Sequence, residues 1–413
     1  MIGRALGAVT AARGDLVEAE LPFARVGEGV RVCARDAAVN ARIAALRETR
    51  ALLAPFGPVD GVARGDRVAA DPAALTAPLG TALLGRAIDA SGAPLDGGGA
   101  PRGRRVAVAL EAPPPGSRRP CEGIFWTGVR AIDGPLAIGR GARIGVFGEA
   151  GAGKSTLLDA IVRGAAADAV VLGLVGERGR EAERALARLD PRTTIVCATA
   201  DRAPAERLRA AEVAAAQAAA LRRRGLAVLL VIDSLARVAG AAREVALAAG
   251  EPAGRGGYPP SVFAALARLL ESAGSDGRGS VTLIATVLSD GPHEADPVSE
   301  AARAALDGHL VLSGRLARAG RFPAVDVAQS ASRTLAEVAS PEHLAAARAV
   351  RAAVAALDES RDARALGVAS AGPDLARCVA AEAELERFLR QGPEPSERRA
   401  TLTALLRLAD TLP

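Results

Sequence analysis

A glycine-rich stretch near the middle of the chain constrains its fold more than any other feature. The stretch matches the pattern Gly-x-x-x-x-Gly-Lys-Ser and comprises Gly148, Glu149, Ala150, Gly151, Ala152, Gly153, Lys154, Ser155 and Thr156. Residues 143–147 predict a strand before it, and residues 155–163 predict the start of a helix after it. In that setting the glycines let backbone N–H groups approach and cradle phosphate groups. We therefore predict a phosphate-binding loop within an α/β fold.

Lys154 is the only lysine in the chain, since all the others among its 52 lysines and arginines are arginines. An ammonium is a compact point charge that can reach between the β- and γ-phosphates, whereas a guanidinium is a rigid planar fork. A chain that keeps lysine only here is expected to bind a nucleoside triphosphate, with the Ser155 hydroxyl placed to ligate Mg²⁺. The alternative is a chance match in a sequence rich in alanine and glycine.

Length and composition narrow the class of protein. At 413 residues the chain is long enough for two or three domains. Its net charge of +5 is small and its arginines are interleaved with acids, which favours a mixed solvated surface over a nucleic-acid-binding face. No signal peptide is evident, and the longest aliphatic run, residues 226–232, is far shorter than the roughly 20 residues that span a bilayer. We expect a soluble, cytoplasmic protein.

The cysteines of the chain are widely scattered, and no pair has the spacing of metal ligands. They are Cys33, Cys121, Cys197 and Cys378. We expect them to be reduced and to be mostly small core residues of a cytosolic protein.

The pattern changes twice along the chain, which predicts three domains. In residues 1–75, short alternating stretches cut by glycines predict a small N-terminal β-barrel. In residues 76–337, aliphatic strands alternate with alanine-rich helices, which predicts a parallel sheet with helices on both faces. Within this part, residues about 90–120 are rich in glycine and proline and predict connecting loops. Residues 338–413 predict a C-terminal helical domain.

Asp233 is the predicted acidic partner of the metal. It ends the aliphatic stretch Leu229-Leu230-Val231-Ile232, which delivers its carboxylate to the carboxyl edge of the predicted parallel sheet. A carboxylate at this edge commonly holds Mg²⁺ next to a phosphate-binding loop. The alternative for Asp233 is a simple cap at the end of a strand.

The turn Gly176-Glu177-Arg178-Gly179-Arg180-Glu181 also follows an aliphatic strand. Phosphoryl transfer to water needs a group that orients the attacking water molecule, and a carboxylate beside the γ-phosphate can do this. Glu177 is the candidate for that role. In isolation, a solvated charged turn would be the default interpretation of this string.

These motifs occur together and in order, and the chain resembles the type III secretion ATPases. These are relatives of the catalytic subunit of rotary ATP synthases and occur in injectisomes and in the flagellar export apparatus. The string Tyr258-Pro259-Pro260-Ser261-Val262-Phe263 is the most discriminating part of the resemblance and is similar to the export branch rather than the synthase branch. The matching blocks are residues 17–28, 84–96, 127–134, 148–156, 176–181, 233–235, 250–252, 257–263, 306–309, 322–326, 332–333 and 340–344.

The resemblance implies an architecture and a set of partners. The core would be a RecA-like nucleotide domain between the β-barrel and the helical domain. The active form would be a homohexamer that binds ATP and Mg²⁺ between subunits, at the cytoplasmic face of the inner membrane. Its partners would be stalk and stator proteins of the secretion apparatus, the export gate and complexes of cargo with chaperones, and not nucleic acid.

The resemblance also implies roles for the residues of the phosphate-binding loop and its acidic partner. Lys154 would contact the β- and γ-phosphates, Ser155 would ligate Mg²⁺, and Asp233 would support the metal shell. The remaining loop residues, from Gly148 to Thr156, would surround the phosphates.

Four further roles follow from the same resemblance. Glu177 would orient the hydrolytic water and marks a catalytic subunit, because the non-catalytic paralogues of the synthase family lack this carboxylate. Arg178 would lie near the γ-phosphate. Phe322 would stack on adenine, at a position where the synthase branch carries tyrosine. Arg333 would be an arginine finger that reaches into the site of a neighbouring subunit.

The chain departs from the family pattern in three places. It starts almost directly at the barrel, so we expect the N-terminal segment that many relatives use for membrane or stator contact to be absent. Where the family usually has glutamine before Arg-Glu, this chain has Ala242-Arg243-Glu244, and residues 289–295 differ from the usual acidic loop.

Two other functions stay open on the sequence. A hexameric RNA translocase similar to the transcription terminator Rho would need aromatic stacking platforms and a basic groove. The N-terminal part offers only Phe23 and Phe56 and no basic run. A rotary subunit of an ATP synthase or vacuolar-type enzyme is disfavoured by the export-type block. Between injectisome and flagellum, residues 51–62 resemble the injectisome branch more closely.

Overall fold

Six short strands at the N-terminal end close into a barrel in the computed structural model, which describes residues 5–149, 151–288, 296–367 and 372–413. They are β1 (Ala5–Arg13), β2 (Leu16–Glu20), β3 (Gly29–Cys33), β4 (Ala38–Arg47), β5 (Arg50–Pro55) and β6 (Arg67–Ala70). Around the barrel the order is β1-β2-β5-β4-β3-β6, and β6 pairs with both β1 and β3. Val30 and Val32 point inward while Arg31 between them is exposed, which is the period-two alternation expected of a strand with one buried face. The predicted barrel is confirmed.

Short elements connect the barrel to the central sheet. They are β7 (Thr76–Pro78), β8 (Arg86–Ile88), β9 (Arg105–Ala107), β10 (Ile124–Phe125), the single-turn helix α1 (Arg130–Asp133) and β11 (Ile138–Gly139). β7 pairs with β9 and β10 pairs with β11 in two small ribbons, and β9 lies within residues 90–120, which the sequence predicted as connecting loops. Three-residue strands carry too little periodic signal to be recognised from sequence.

The central region alternates strands and helices as predicted, and the strand predicted over residues 143–147 is one residue longer in the structure. The elements are β12 (Arg143–Gly148), α2 (Lys154–Gly164), β13 (Ala169–Val175), α3 (Gly179–Leu186), β14 (Thr193–Ala198), α4 (Pro204–Arg222), β15 (Ala227–Asp233), α5 (Leu235–Ala248), α6 (Pro260–Glu271), β16 (Gly274–Ser275), β17 (Ser280–Leu288), α7 (Pro297–Ala305), β18 (Gly308–Leu312), α8 (Gly314–Arg318), β19 (Val325–Ser332) and α9 (Leu335–Val338).

These strands build one nine-stranded sheet in the order β19-β18-β12-β17-β15-β13-β14-β8, with β16 paired to β17. All of its neighbouring strands run parallel except β19 and β16, which run antiparallel to their partners. Helices cover both faces. On β15, Val228, Leu230 and Ile232 pack into the core on one face, and Leu229 and Val231 pack into the core on the other. A strand buried on both sides reads as a continuous aliphatic run, which is why the sequence revealed it.

Helices form the C-terminal part of the chain. They are α10 (Pro341–Glu359), α11 (Arg361–Ala365), α12 (Pro373–Ala380), α13 (Glu382–Leu389) and α14 (Arg398–Ala409). α10 begins with a Ser340 hydroxyl that accepts a hydrogen bond from the His343 N–H, with Pro341 in the first turn. These helices share a core with α2, since Leu157 and Ile161 pack in the same cluster as Val350. The α/β class with its barrel and helical parts is therefore confirmed, while the domain boundaries at residues 75 and 337 stay predictions.

Two smaller observations complete the fold. Of the four free cysteines, Cys197 and Cys378 are buried whereas Cys33 and Cys121 are only half-buried, so the core placement holds for two of them. Among the described helices, none combines the length and the apolar character needed to cross a membrane.

Candidate active site

The phosphate-binding loop lies between β12 and α2, at the carboxyl edge of the sheet. Gly151 and Gly153 have φ angles of +84° and +89°, which a residue with a Cβ rarely adopts. α2 begins at Lys154, with Ser155 and Thr156 exposed in its first turn. The free N–H groups and the dipole of this helix end favour a bound anion. Ala150 lies outside the described residues.

Asp233 and Lys154 meet at this edge, because β15 and β12 are separated only by β17 and all three run parallel. Lys154 Nζ lies 3.5 Å from Asp233 Oδ1, and the Thr286 hydroxyl donates a 2.5 Å hydrogen bond to the same oxygen. Among the described residues, the carboxylate accepts no hydrogen bond from the backbone at the start of α5. The structure therefore gives no support to a simple capping role for Asp233.

Glu177 lies at the end of β13 and is buried, with 5% of its surface exposed. Burial is the main cause that raises its pKa above the usual value, and the Glu181 carboxyl and the charge of Asp233 raise it further. Arg237 and Lys154 act in the opposite direction and lower it. A carboxylate in such a setting can accept a proton near neutral pH, which suits a group that orients and activates water.

Arg237 is a site residue that the sequence interpretation missed. Its Nε lies 3.2 Å from Glu177 Oε1, without the geometry of a hydrogen bond. A Cβ built on Gly176 would lie 3.0 Å from Arg237 Cδ, so the guanidinium stem passes directly over that glycine. The sequence signal that could have indicated Arg237 was its position four residues after Asp233. The structure places it in the first turn of α5, at the same edge of the sheet.

Side chains whose oxygen atoms could ligate a metal line one cleft beside α2. Ser155, Thr156, Glu177, Glu181 and Asp233 all line it. Hydroxyl and carboxylate oxygens are the hard ligands that Mg²⁺ prefers. The donor set thus fits the metal that the sequence predicted, with Ser155 and Asp233 as the residues that would hold it.

Phe322 lies against the phosphate-binding loop, although it follows Gly153 by 169 residues in the sequence. A Cβ built on Gly153 would be 3.6 Å from Phe322 Cε1. The ring is 42% exposed, which leaves surface for a flat partner to stack on. The Phe322 carbonyl accepts a 2.8 Å hydrogen bond from the Gln391 N–H, so this residue also contacts the segment between α13 and α14.

Two charged residues lie at the rim of the site, Glu149 in the phosphate-binding loop and Arg178 in the turn that follows β13. The Glu149 carboxylate approaches Gly314 at the start of α8, where a Cβ would lie 3.1 Å from its Oε2. Arg178 precedes α3 as its N-cap and is exposed. It directly follows Glu177 in the chain.

Among the predicted site residues that the structure describes, Arg333 is the one that lies apart from the others. It is exposed and follows β19, whose Ser332 pairs with Gly308 at the amino end of β18. The phosphate-binding loop follows Gly148, which pairs with Leu312 at the carboxyl end of β18. The length of β18, roughly 13 Å at about 3.3 Å per residue, therefore separates Arg333 from the phosphate loop of its own chain.

Two family models match the chain over the parts just described. The nucleotide-binding domain of the ATP synthase alpha/beta family matches residues 128–332. The T3SS EscN ATPase C-terminal domain matches residues 339–407.

Curated relatives match almost the whole chain. The Type 3 secretion system ATPase of Sinorhizobium fredii is 44% identical, over 94% of this chain and 88% of the relative. The Flagellum-specific ATP synthase of Treponema pallidum is 43% identical, over 97% of this chain and 92% of the relative.

Solved structures agree with these matches. The assembled ATPase EscN of the enteropathogenic E. coli type III secretion system superposes with a TM-score of 0.92 at 37% identity, covering 98% of this chain and all of that one. The same ATPase in complex with its central stalk EscO gives a TM-score of 0.89.

Proposed function

The chain belongs to the family of type III secretion ATPases, and from this premise we propose that it hydrolyses ATP to drive protein export through a type III secretion apparatus. One observation carries the proposal. The lone ammonium of Lys154, the carboxylate of Asp233 and the buried Glu177 converge at the carboxyl edge of one parallel sheet. This is the constellation that phosphoryl transfer to water requires.

The phosphate-binding loop and its acidic partner hold the triphosphate. Backbone N–H groups of the loop donate to the phosphate oxygens, and Lys154 neutralises charge between the β- and γ-phosphates. Ser155 and Asp233 would hold Mg²⁺, which when bound neutralises charge on the phosphates. Thr286 keeps the Asp233 carboxylate in place through its 2.5 Å hydrogen bond.

Glu177 orients the attacking water in this proposal. Its burial keeps bulk water away from the carboxylate, and the contact with Arg237 at 3.2 Å limits the directions in which it can turn. Arg178 is the cation next to Glu177 in the chain, and we assign it a place near the γ-phosphate.

A second copy of the chain supplies Arg333. The exposed side chain and its distance from the phosphate loop of its own chain support a role in trans. We propose a homohexamer in which each site lies between two subunits, so that assembly and hydrolysis depend on each other.

The partners follow from the family. The solved E. coli relative was determined in complex with its central stalk, and we infer an equivalent stalk for this chain. We further propose contacts with stator proteins, the export gate and complexes of cargo with chaperones. In these complexes ATP turnover would release and unfold the cargo at the cytoplasmic face of the inner membrane.

The injectisome is the apparatus we favour over the flagellum, because residues 51–62 resemble that branch. Overall identity does not separate the two, since the relatives from S. fredii and T. pallidum are 44% and 43% identical. The genes that flank the coding sequence provide the test. Needle and effector-chaperone genes would support the proposal, and hook and flagellin genes would replace it with flagellar export.

Lys154→Ala should weaken Mg-ATP binding roughly 10- to 150-fold by isothermal titration calorimetry. The substitution removes the only cation that lies within 4 Å of Asp233 among the described residues. A lost hydrogen bond to a charged group costs about 1.5–3 kcal/mol, or roughly a 10- to 150-fold weaker affinity. Arg163→Ala, at the exposed end of the same helix, is the matched control and should bind as wild type does. Wild-type affinity in Lys154→Ala would refute the proposed site.

Phe322→Ala should weaken Mg-ATP binding about tenfold, because stacking of a base on an aromatic ring is worth about 1–3 kcal/mol. Phe322→Tyr should keep wild-type affinity, since it retains the ring. Phe23→Ala removes another exposed phenylalanine, on the barrel, and should have no effect. A fluorescent ATP analogue in a competition assay measures all three. Unchanged affinity in Phe322→Ala would remove this residue from the adenine site.

A further inference from the structure

Arg333 is flanked by two residues with hydroxyl side chains, Ser332 and Thr334, which tie the end of β19 to β11. The Ser332 hydroxyl donates a 2.8 Å hydrogen bond to the Ala137 carbonyl. The Thr334 hydroxyl accepts a 2.9 Å hydrogen bond from the Gly139 N–H. The two hydroxyl oxygens lie 3.2 Å apart, within hydrogen-bond distance of each other. The backbone on either side of Arg333 is therefore held by a segment that lies 195 residues away in the sequence.

The Thr334 hydroxyl serves this contact rather than its own helix. Thr334 is the N-cap of α9, a position where a threonine side chain usually accepts a hydrogen bond from the first turn of its helix. Within the described residues of that turn, the side chain accepts no such bond. Thr334 is 6% exposed and Gly139 is buried, so water does not readily replace either partner. The hydroxyl thus joins two buried segments.

A third contact holds the backbone of Arg333 itself. Its N–H donates a 2.9 Å hydrogen bond to the Asp307 carbonyl. The Asp307 carboxylate in turn accepts hydrogen bonds from Arg143 Nε at 3.0 Å and from Arg143 Nη2 at 3.2 Å, a two-point contact that fixes its orientation. Arg143 is the first residue of β12, which lies inside the sheet and leads to the phosphate-binding loop. All three contacts therefore attach the end of β19 to residues 137–143.

The Arg333 side chain is exposed, although the backbone around it is held in place. Leu335, two residues further on, is buried and packs in one cluster with Ala137, which adds an apolar contact to the same segment. Ordering a flexible backbone costs free energy, and a backbone that is already rigid avoids this cost when its side chain binds. The end of β19 therefore presents one projecting arginine on a rigid backbone.

We propose that Ser332 and Thr334 are positioning residues for ATP hydrolysis, which hold Arg333 so that its guanidinium reaches the active site of the neighbouring subunit. The inference rests on the role of Arg333 as an arginine finger that is proposed above. Such a finger is effective only in the correct place, since a misplacement of about 1 Å can cost roughly 100-fold in rate. The two hydroxyls act through the backbone of Arg333 and not through contact with the nucleotide.

The test compares Thr334→Val and the double variant Ser332→Ala/Thr334→Val with Arg333→Ala. Valine keeps the branched shape of threonine and lacks the hydroxyl. We expect the double variant to lose turnover about 10- to 100-fold, while its Mg-ATP affinity by calorimetry stays close to wild type. Thr334→Val should lose less, and Thr334→Ser, which retains the hydroxyl, should keep most of the turnover.

The comparison separates this inference from the proposed function. Wild-type turnover in the double variant beside a loss in Arg333→Ala would overturn the inference and leave the finger in place. Wild-type turnover in Arg333→Ala would overturn the finger and the inference with it.

Thr194→Val is the matched control for the loss of a buried hydroxyl. Thr194 lies on β14, is fully buried and donates a 2.8 Å hydrogen bond to the Leu83 carbonyl. The substitution should lower Tm, as Thr334→Val does, because each leaves a buried backbone group without its partner. Turnover should stay at the wild-type level in Thr194→Val. An equal loss of turnover in both variants would overturn the inference.

Mixing of chains shows whether the loss arises between subunits. In hexamers assembled from equal amounts of the double variant and Lys154→Ala, roughly one quarter of the sites combine an intact Lys154 with an intact finger segment of the next subunit. Turnover should therefore exceed that of either variant alone. Substitutions that act within their own chain, by distorting β12 and the phosphate-binding loop, would leave these sites inactive, and that result would overturn the proposal. Should the double variant not fold, Thr334→Val is mixed in the same way and judged by the same outcomes.

Discussion

Arg333→Ala should reduce ATP turnover about 10³- to 10⁵-fold, the contribution of an arginine finger that stabilises charge in the transition state. Mg-ATP affinity should stay close to wild type, because the phosphate loop lies at the opposite end of β18. Turnover is measured by phosphate release and affinity by calorimetry. Arg348→Ala, which removes an exposed arginine on α10, is the matched control and should remain fully active.

Mixing of variants shows whether the finger acts in trans. In a hexamer assembled from equal amounts of Lys154→Ala and Arg333→Ala chains, roughly one quarter of the sites combine an intact Lys154 with an intact Arg333 of the next subunit. Turnover of the mixture should therefore greatly exceed that of either variant alone. If mixing restores nothing while hexamers form, Arg333 does not act between subunits.

Glu177→Gln should reduce turnover about 10²- to 10⁴-fold, the usual contribution of a positioned general base. The amide keeps the shape of the carboxylate, so Mg-ATP should still bind, and single-turnover assays should show that the loss lies in the chemical step. Glu183→Gln is the matched control, since Glu183 is exposed on α3 one turn from the site. Loss of binding rather than of turnover in Glu177→Gln would mean that Glu177 supports the metal or the nucleotide instead.

The pH profile offers a second readout for the same residue. Burial and neighbouring carboxylates raise the pKa of Glu177, so protonation inactivates it at a higher pH than it would an exposed glutamate. Turnover of wild type should therefore fall on acidification well before ordinary carboxylates titrate. Glu183→Gln, which changes an exposed glutamate on α3, should leave the position of that acidic limb unchanged.

Much of the fold follows from local patterns in the chain. Aliphatic runs such as residues 169–175 and 227–232 become central strands, because a strand covered on both faces has no polar side to interrupt it. The phosphate-binding loop is predictable for the same local reason. Its two positive φ angles, its helix end and its lysine lie within a few residues of one another. The three-residue strands β7 and β9 carried too few residues for any period to be visible.

The sequence alone determined the strand–loop–helix unit around Lys154, the order of strands and helices and the residues available for chemistry, because each depends on neighbours along the chain. Only the tertiary structure decided which of these residues meet. The sheet order brings Asp233 to Lys154, the turn of α5 carries Arg237 over Glu177, and the antiparallel β19 leaves Arg333 at the far edge. The packing of the barrel on α4 likewise buries Arg209 beside Glu212, whose Oε2 lies 3.7 Å from its Nη1. Most of these contacts join residues distant in sequence, and they depend on strand pairing and packing, which no local period encodes.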